Sequence, residues 1–269
     1  MTTTPPLPAA TPRDSASLLL LRDGEQGLEV LLLRRHENSS VLGGMYVFPG
    51  GKVDPEDQTP AALASLDQDA AALHARLGEP DLPPTLAAGL FLAALREAQE
   101  EAGIWLADRP GQTDMRWRTA DVLPWSRWVT PVTPAIGTLR FDTRFFVARL
   151  PAGQEARHDN LEATESVWVR PREALERYWA GEIGLIPPQL MGLAQLSHHP
   201  DVASAWAEAL AQPVRCILPE VIREGEVRVM CYPGDPVHPL RERCMPGPMR
   251  LRLVGKRFEP VDGFDGWFA

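Results

Sequence analysis

The chain has little cysteine and no long apolar run. Its 269 residues include three cysteines, none in a Cys-x-x-Cys pair. This usage is typical of a reduced, cytosolic protein, so we expect a cytoplasmic location. A zinc site formed by Cys231, His238 and Cys244 would have an uncommon ligand spacing, and three ordinary thiols are the simpler interpretation. No run of 18 apolar residues is present, so we expect no membrane-spanning helix.

The chain is also short of positive charge, because its 27 basic residues are outnumbered by 36 acidic ones. A net charge of −9 argues against general binding to nucleic acid or to anionic membranes, since both need basic patches. A small phosphorylated substrate in a local basic pocket remains compatible with this charge. The length and the 44% hydrophobic content are enough for one substantial core, or for a core with an appended subdomain.

Residues 96–104, which read REAQEEAGI, are the most informative segment. Glu97, Glu100 and Glu101 follow i, i+3, i+4 spacing, so their side chains share one helical face, where like charges repel. Gly103 fits the left-handed residue that ends a helix, and the helix dipole disfavours negative charge in the preceding turn. A cation among the carboxylates would relieve both penalties. Hard divalent ions such as Mg²⁺ or Mn²⁺ prefer carboxylate oxygens.

A solvated acidic helix end is the alternative interpretation of the same segment. Arg96 and Glu100 are four residues apart and can form a surface ion pair worth about 0.3 kcal/mol. The upstream turn Phe48-Pro49-Gly50-Gly51 and the Gly103-Ile104 pair favour the metal-binding interpretation, because the elements together are far more specific than any one of them.

These motifs resemble the signature of the Nudix hydrolases. That signature runs Gly, five residues, Glu, seven residues, then Arg-Glu-apolar-x-Glu-Glu-x-Gly-apolar. Residues 96–104 match its second half without a gap. In the first half, Gly51 fits the opening glycine and Asp57 stands in place of the first glutamate. Arg96 comes about 31 residues later than the signature's spacing requires, so an insertion, at 58–84, interrupts the motif.

The resemblance implies an α/β fold, the Nudix α/β/α sandwich with a mixed sheet, over residues 17–185. Residues 1–16, rich in Thr, Pro and Ala, are expected to form a disordered tail. Residues 186–269 are expected to form a helical and β extension packed on the Nudix domain. Within the insertion, Thr59 fits an N-cap before Pro60, and the apolar spacing up to Gly78 predicts one amphipathic helix.

Local patterns predict the remaining elements. The turn at 23–27 between two apolar runs predicts a hairpin. Thr85 is the expected cap of the carboxylate helix, and Pro-Gly turns between 215 and 258 indicate short strands. The other predicted strands lie at 45–48, 139–150 and 165–170, and the other predicted helices at 171–181, 188–196 and 202–210.

The resemblance also implies roles for individual residues. Glu97, Glu100 and Glu101 would bind Mg²⁺ or Mn²⁺, and Arg96 would orient one of these carboxylates through charge-assisted hydrogen bonds.

A further carboxylate often lies shortly before a Trp-containing strand in this family, and Trp168 marks that strand here. Glu162 is the preferred extra ligand or base, and Glu165 is the alternative. The glycine turn is expected to approach the metal and the phosphates with three residues: Gly50, Gly51 and Lys52.

The long insertion and the C-terminal extension are similar to those of the peroxisomal acyl-CoA diphosphatases and their bacterial relatives. That subgroup cleaves CoA or acyl-CoA to 3′,5′-ADP and (acyl-)4′-phosphopantetheine. Four arginines are candidate contacts for the CoA phosphates: Arg34, Arg35, Arg140 and Arg144. NADH, ADP-ribose and dinucleoside polyphosphates remain alternative substrates, and a non-catalytic ligand-sensing module remains an alternative function. A homodimer is compatible with the sequence.

Overall fold

The structure, a computed structural model, describes residues 10–39, 42–132, 139–158 and 160–269. Residues 1–9 of the predicted tail lie outside these ranges. The first strand, β1, spans Arg13–Gly24 and therefore begins inside the segment predicted to be a tail. The prediction is wrong for residues 13–16, because they pair with a neighbouring strand of the central sheet.

The described residues form fourteen strands and six α-helices. After β1, the strands in chain order are β2 (Gly27–Arg35), β3 (Tyr46–Val47), β4 (Gly50–Lys52), β5 (Ala107–Asp108), β6 (Arg116–Trp117), β7 (Val122–Val129), β8 (Phe141–Arg149), β9 (Ala163–Val169), β10 (Arg215–Ile217), β11 (Glu220–Glu224), β12 (Val227–Cys231), β13 (Arg250–Val254) and β14 (Arg257–Pro260). The helices are α1 (Pro60–Leu63), α2 (Ala70–Leu77), α3 (Pro84–Ala102), α4 (Pro171–Trp179), α5 (Pro187–Leu196) and α6 (Val202–Ala211).

A mixed sheet of eight strands forms the centre of the described structure. Its main path runs β10-β7-β8-β1-β2-β3, while β4 pairs with β1 and β9 pairs with β2. β1 and β2 form the predicted hairpin, and β8 lies parallel to β1. A separate antiparallel sheet contains β11 to β14, and β5 pairs with β6.

Helices cover both faces of the central sheet, which gives the α/β/α layering expected of the fold class. Alternate residues of β1 point to opposite faces, as the pleat requires. Leu18 and Leu20 pack in the core formed with α3, whereas Leu19 and Leu21 pack in the core formed with α4, α5 and α6. Among the described residues, no helix is long and apolar enough to cross a membrane.

Helix α3 is buried on nearly all sides because the insertion covers its outer face. Gly89, in the first half of the helix, lies so close to the insertion that an added Cβ would come within 2.9 Å of Gln58 Cγ. Thr85 lies inside the helix, which is preceded by Pro83 rather than by a capping side chain, so that prediction is wrong. Gly103 ends the helix with φ 69°, as predicted.

The insertion contains two helices rather than the single one predicted. Thr59 caps α1, and its hydroxyl accepts a hydrogen bond from Ala62 N. The chain then leaves the helical path, because Leu66 forms a bridge with Trp117 and Ser65 O accepts a hydrogen bond from Trp117 N. Asp69 caps the second helix, α2. Pairing with a distant strand therefore overrides a local helical pattern.

A buried ion-pair cluster fixes the end of the insertion to the central sheet. Arg144 on β8 is 1% exposed and donates two hydrogen bonds to Glu79, at 3.0 and 2.7 Å, while its guanidinium also pairs with Asp14. Arg127 on β7 pairs with Glu79 and with Asp142. The predicted contact between Arg144 and substrate is therefore wrong, because carboxylates of the protein already surround this guanidinium.

Arg140 is likewise engaged inside the protein. Its Nε donates to Thr130 O and its Nη1 to Ala10 O, both at 2.9 Å. These bonds fix the segment before β1 to the chain around β7 and β8. The side chain of Arg140 thus satisfies backbone carbonyls of the protein, and its contact with substrate phosphates stays a prediction.

Removing the central arginine of the cluster should be strongly destabilising. Arg144→Leu leaves Asp14, Glu79 and Asp142 with less cationic compensation, so we expect the free energy of unfolding to fall by about 3–5 kcal/mol. Denaturant unfolding measures this change. Arg157→Leu is the control, because that side chain is 82% exposed, and it should cost less than about 0.5 kcal/mol. Equal losses in the two variants would contradict the interpretation.

Candidate active site

The three glutamates of α3 lie in its last two turns and differ in exposure. Glu101 is 4% exposed, and the side chain of Glu97 is 13% exposed, whereas that of Glu100 is 52% exposed. The buried pair faces the glycine turn at β4, and Glu100 lies nearer to solvent. The helix therefore brings carboxylates of different accessibility to one edge of the sheet.

The glycine turn approaches these carboxylates more closely than a side chain would allow. Gly50 N donates a hydrogen bond of 2.9 Å to Glu101 Oε2. A Cβ added to Gly51 would lie 2.1 Å from Glu97 Oε1, and one added to Gly50 would lie 2.5 Å from Ala16 O. Glycine is required at both positions by this close packing, as the sequence predicted.

Arg96 donates hydrogen bonds to four groups around the carboxylates of α3. Its guanidinium donates two hydrogen bonds of 3.0 Å to the carboxylate of Asp57. Its Nη1 donates to Glu97 Oε1 at 2.9 Å and to Glu100 Oε2 at 2.8 Å, and its Nη2 donates to Lys52 O. The bonds to Glu97 and Glu100 are compatible with the orienting role predicted for Arg96. Burial alone would lower the pKa of Arg96. The hydrogen bonds that Arg96 donates to Asp57, together with the charge of Glu97, raise this pKa above its usual value.

Asp57 has a role that the sequence comparison did not specify. It is 3% exposed, and it also accepts a hydrogen bond from Asp54 N. Both oxygens are therefore engaged in holding Arg96 and the start of the insertion. The only sequence signal was its spacing of six residues from Gly51.

The buried glutamates repel one another. Burial, together with the charges of Glu97 and Glu162, raises the pKa of Glu101 to about 8. Burial is also the largest cause of the raised pKa of Glu97, and Glu100 and Glu162 add to it. Arg35 partly offsets this charge, because its Nη1 lies 3.7 Å from Glu101 Oε1. Glu162 thus belongs to the same electrostatic cluster as Glu97, Glu100 and Glu101, which we call the box glutamates.

Glu165 lies in a different environment. Its Oε2 accepts a hydrogen bond of 2.6 Å from Tyr46 OH, and burial together with this bond raises the pKa of Tyr46 to about 12. Because Arg34 pairs with Glu165 and with Tyr46 across neighbouring strands, all three side chains share one face of the sheet. Between Glu162 and Glu165, the arrangement favours Glu162 as the partner of the box glutamates.

The other predicted contacts are divided between the site and the surface. The side chain of Arg34 pairs with Glu37 at 2.9 Å, and Lys52 is exposed with its carbonyl bonded to Arg96.

His238 uses both ring nitrogens in hydrogen bonds with the backbone, at Leu218 O and Leu240 N, which leaves no nitrogen for zinc.

The donor chemistry of the site fits a hard divalent cation. Glutamate oxygens are the ligands that such ions prefer, and the like-charge repulsion between buried carboxylates is the condition that a cation relieves. In the arrangement observed, Glu97 and Glu100 bind Arg96 and Glu101 binds Gly50. Accordingly, no three His, Cys, Asp or Glu side chains of the described ranges converge on one point.

Comparisons with known proteins support the fold described above. The family model described as the NUDT19 Nudix domain matches residues 119–196, from β7 to the end of α5. A crystal structure of a NUDIX hydrolase from Alicyclobacillus acidocaldarius superposes with a TM-score of 0.58 and 25% identity, and covers 74% of this chain and 96% of its own. In fold and in sequence, the chain is similar to the Nudix hydrolases.

The curated relatives described next are 25–28% identical to the chain over the aligned residues. "Acyl-coenzyme A diphosphatase NUDT19" of Xenopus laevis is 28% identical over 63% of this chain and 60% of its own length. "Putative nudix hydrolase 7" of Caenorhabditis elegans is 27% identical over 88% and 78%, respectively. The human acyl-coenzyme A diphosphatase NUDT19 is 25% identical over 79% and 73%. The chain thus spans 60% of the frog protein's length.

The carboxylate that holds Arg96 should matter more for stability than its neighbour. Asp57→Asn leaves Arg96 without its bidentate, buried partner, so the free energy of unfolding should fall by about 3 kcal/mol. Asp54→Asn is the matched control, because Asp54 lies 3.6 Å from the same guanidinium but is 49% exposed. It should cost less than about 1 kcal/mol. Urea unfolding of both variants measures the difference, and similar costs would argue against the Arg96–Asp57 pair as the main restraint.

Proposed function

We propose that this chain is a Nudix hydrolase that cleaves the pyrophosphate bond of CoA or acyl-CoA, giving 3′,5′-ADP and (acyl-)4′-phosphopantetheine, with Mg²⁺ or Mn²⁺. The observation that carries the proposal is the crowding of Glu97, Glu101 and Glu162 beside the glycine turn. The choice of substrate is supported by the names of the frog, chicken and human relatives, which are all acyl-coenzyme A diphosphatases.

In this proposal Glu97, Glu100 and Glu101 hold the divalent cation. When bound, such an ion neutralises charge on the phosphoryl oxygens and lowers the pKa of a coordinated water. Arg96 holds Glu97 and Glu100 in place through charge-assisted hydrogen bonds, and Asp57 in turn holds Arg96. The side chains that do the chemistry are thus oriented before substrate binds, which lowers the reorganisation needed during reaction.

Glu162 is the group that we propose to accept the proton of the attacking water. Its charge is felt by both Glu97 and Glu101, so it lies near the box glutamates without belonging to the same helix. Arg35, beside Glu101, is the cation best placed to meet an anionic phosphate. Arg34 lies on the opposite face of the sheet and is a weaker candidate for that contact.

The glycine turn completes the site by allowing close approach. With glycine at position 51, the main chain of β4 lies against Glu97 without a Cβ between them. A phosphate group can approach this backbone for the same reason.

The box glutamates should be essential for turnover but not for folding. Glu101→Gln replaces a buried carboxyl group with an uncharged amide of nearly the same shape, so we expect the fold to be retained and turnover to fall by more than about a hundredfold. Mass spectrometry of the products with CoA, acyl-CoA, NADH and ADP-ribose, each with Mg²⁺ or Mn²⁺, identifies both the substrate and the bond cleaved. Glu173→Gln on α4 is the control and should behave as wild type.

This panel of substrates tests the choice of substrate and the role of the box glutamates separately. Faster hydrolysis of NADH or ADP-ribose than of CoA compounds would overturn the substrate and leave the hydrolase. Full activity in Glu101→Gln would overturn the role of the box glutamates.

Substitutions of Glu162 and Glu165 provide a sharper test of which residue acts as the base. Glu162→Gln should lower kcat by about 10²–10⁴-fold with a small change in KM, as expected for loss of a general base. Glu165→Gln, which disturbs only the bond from Tyr46, should change kcat by less than about threefold. Steady-state kinetics on the best substrate of the panel measures both. If the larger loss occurs in Glu165→Gln, the assignment of the base is wrong.

A further inference from the structure

Part of the connection between β8 and β9 lies against the end of helix α3. Arg157 N donates a hydrogen bond of 2.8 Å to Ala102 O, the last residue of the helix. Three residues earlier, the side chain of Gln154 binds the backbone of Trp105. Because Arg157 lies opposite Ala102 and Gln154 lies opposite Trp105, residues 154–157 run antiparallel to residues 102–105. The same connection leads, five residues after Arg157, to the proposed base Glu162.

Gln154 uses both ends of its side-chain amide on one residue. Its Oε1 accepts a hydrogen bond from Trp105 N and its Nε2 donates one to Trp105 O, each at 2.8 Å. Paired residues of neighbouring antiparallel strands exchange the same two bonds through their backbones. The side chain of Gln154 thus acts as a neighbouring strand at Trp105, two residues before β5 begins at Ala107.

The end of α3 depends on partners outside the helix, because the last carbonyl groups of any helix have none within it. Ala102 O is such a carbonyl, and Arg157 N satisfies it. Glu100 and Glu101 directly precede Ala102, so they lie in the turn against which the connection packs. The connection therefore contacts the box helix at the turn that carries two of its carboxylates.

Trp105 is held on its other side by the region around the insertion. Its ring stacks on that of Trp117, with the centroids 5.7 Å apart and the planes 12° from parallel. Trp117 N in turn donates a hydrogen bond of 2.8 Å to Ser65 O of the insertion. Since these contacts fix Trp105, the pair of bonds from Gln154 fixes the connection relative to Trp105 rather than the reverse.

We infer that Gln154 is a positioning residue for the hydrolysis proposed above. It holds the connection against the end of α3, while Glu162 O accepts a hydrogen bond of 2.9 Å from His36 N at the end of β2. Glu162 is thus held from both sides at a set distance from the box glutamates. The inference rests on the proposed function, because a shift of about 1 Å in a catalytic group can cost about a hundredfold in rate.

Gln154→Glu at two pH values tests the inference on the full chain. A protonated carboxyl group can accept and donate as the amide does, whereas an ionised one cannot donate and would face Trp105 O with a negative charge. That contact raises the pKa of the new carboxyl group above the ordinary value of about 4.3. Relative to wild type at the same pH, kcat should be at least about tenfold lower at pH 8 and within about twofold at pH 5, with KM changed by less than about threefold. Taking the ratio at each pH removes the titration that wild type shares.

Gln154→Met is the second variant, because it keeps the length of the side chain and loses both hydrogen bonds at every pH. Its kcat should be at least about tenfold below wild type at pH 8 and at pH 5 alike. Gln26→Glu is the matched control, since Gln26 is exposed in the turn between β1 and β2, and it should behave as wild type at both pH values. Circular dichroism checks that each variant is folded.

The inference is overturned if Gln154→Met keeps the wild-type kcat or loses activity through KM alone. It is also overturned if Gln154→Glu does not recover in acid, because the paired hydrogen bonds would then not be the cause. Loss of the folded signal in both Gln154 variants would assign the residue a structural role instead. Failure of the proposed function gives a different result, since wild type would then cleave none of the substrates in the panel, and this inference would fail with it.

Discussion

The site depends on the contact between Arg96 and three carboxylates. Glu97 and Glu100 come from the same helix as Arg96, but Asp57 comes from the chain before the insertion, and its bidentate pair ties the two halves of the motif together. Six carboxylates of the described residues lie around the site, those of Asp54, Asp57, Glu97, Glu100, Glu101 and Glu162, and the guanidinium groups of Arg96 and Arg35 offset part of this charge. The geometry is therefore preorganised while the charge remains unbalanced, which is the combination that a site for cations and phosphates requires.

The insertion preserves this arrangement because both of its ends are tied down. Its start is held by Asp57 on Arg96, and its end is held by Glu79 in the cluster around Arg144 and Arg127. Between these points, α2 packs on the outer face of α3. The first half of α3 is therefore buried on nearly all sides and carries apolar residues around most of its circumference. About 31 additional residues can thus be accommodated, since the ends meet the sheet at fixed positions and the middle contributes its own core.

Local chemistry in the sequence was enough to predict the hairpin, the carboxylate helix with its glycine stop, and the helices α4 to α6. It was also enough to predict the close approach of Gly50 and Gly51 to the glutamates. The failures involve long-range contacts. The insertion contains two helices where one was predicted, because Leu66 pairs with Trp117. Arg144 looked like a phosphate contact because its buried partner Glu79 lies 65 residues away, and no local pattern distinguishes a guanidinium that meets substrate from one that meets protein carboxylates.

The C-terminal half contacts the segment that leads into the glycine turn from the opposite face of the sheet. Tyr46 N donates to Gly184 O, and Gly192 of α5 lies so close to Phe48 that an added Cβ would be 3.4 Å from its ring. Two residues beyond Phe48, Gly50 binds Glu101 on the other face. The short segment from β3 to β4 is thus clamped between α5 and α3. Because hydrophobic packing fixes one side and a hydrogen-bonded carboxylate the other, changes in α5 would be transmitted to the position of the glycine turn even though α5 supplies none of the box residues.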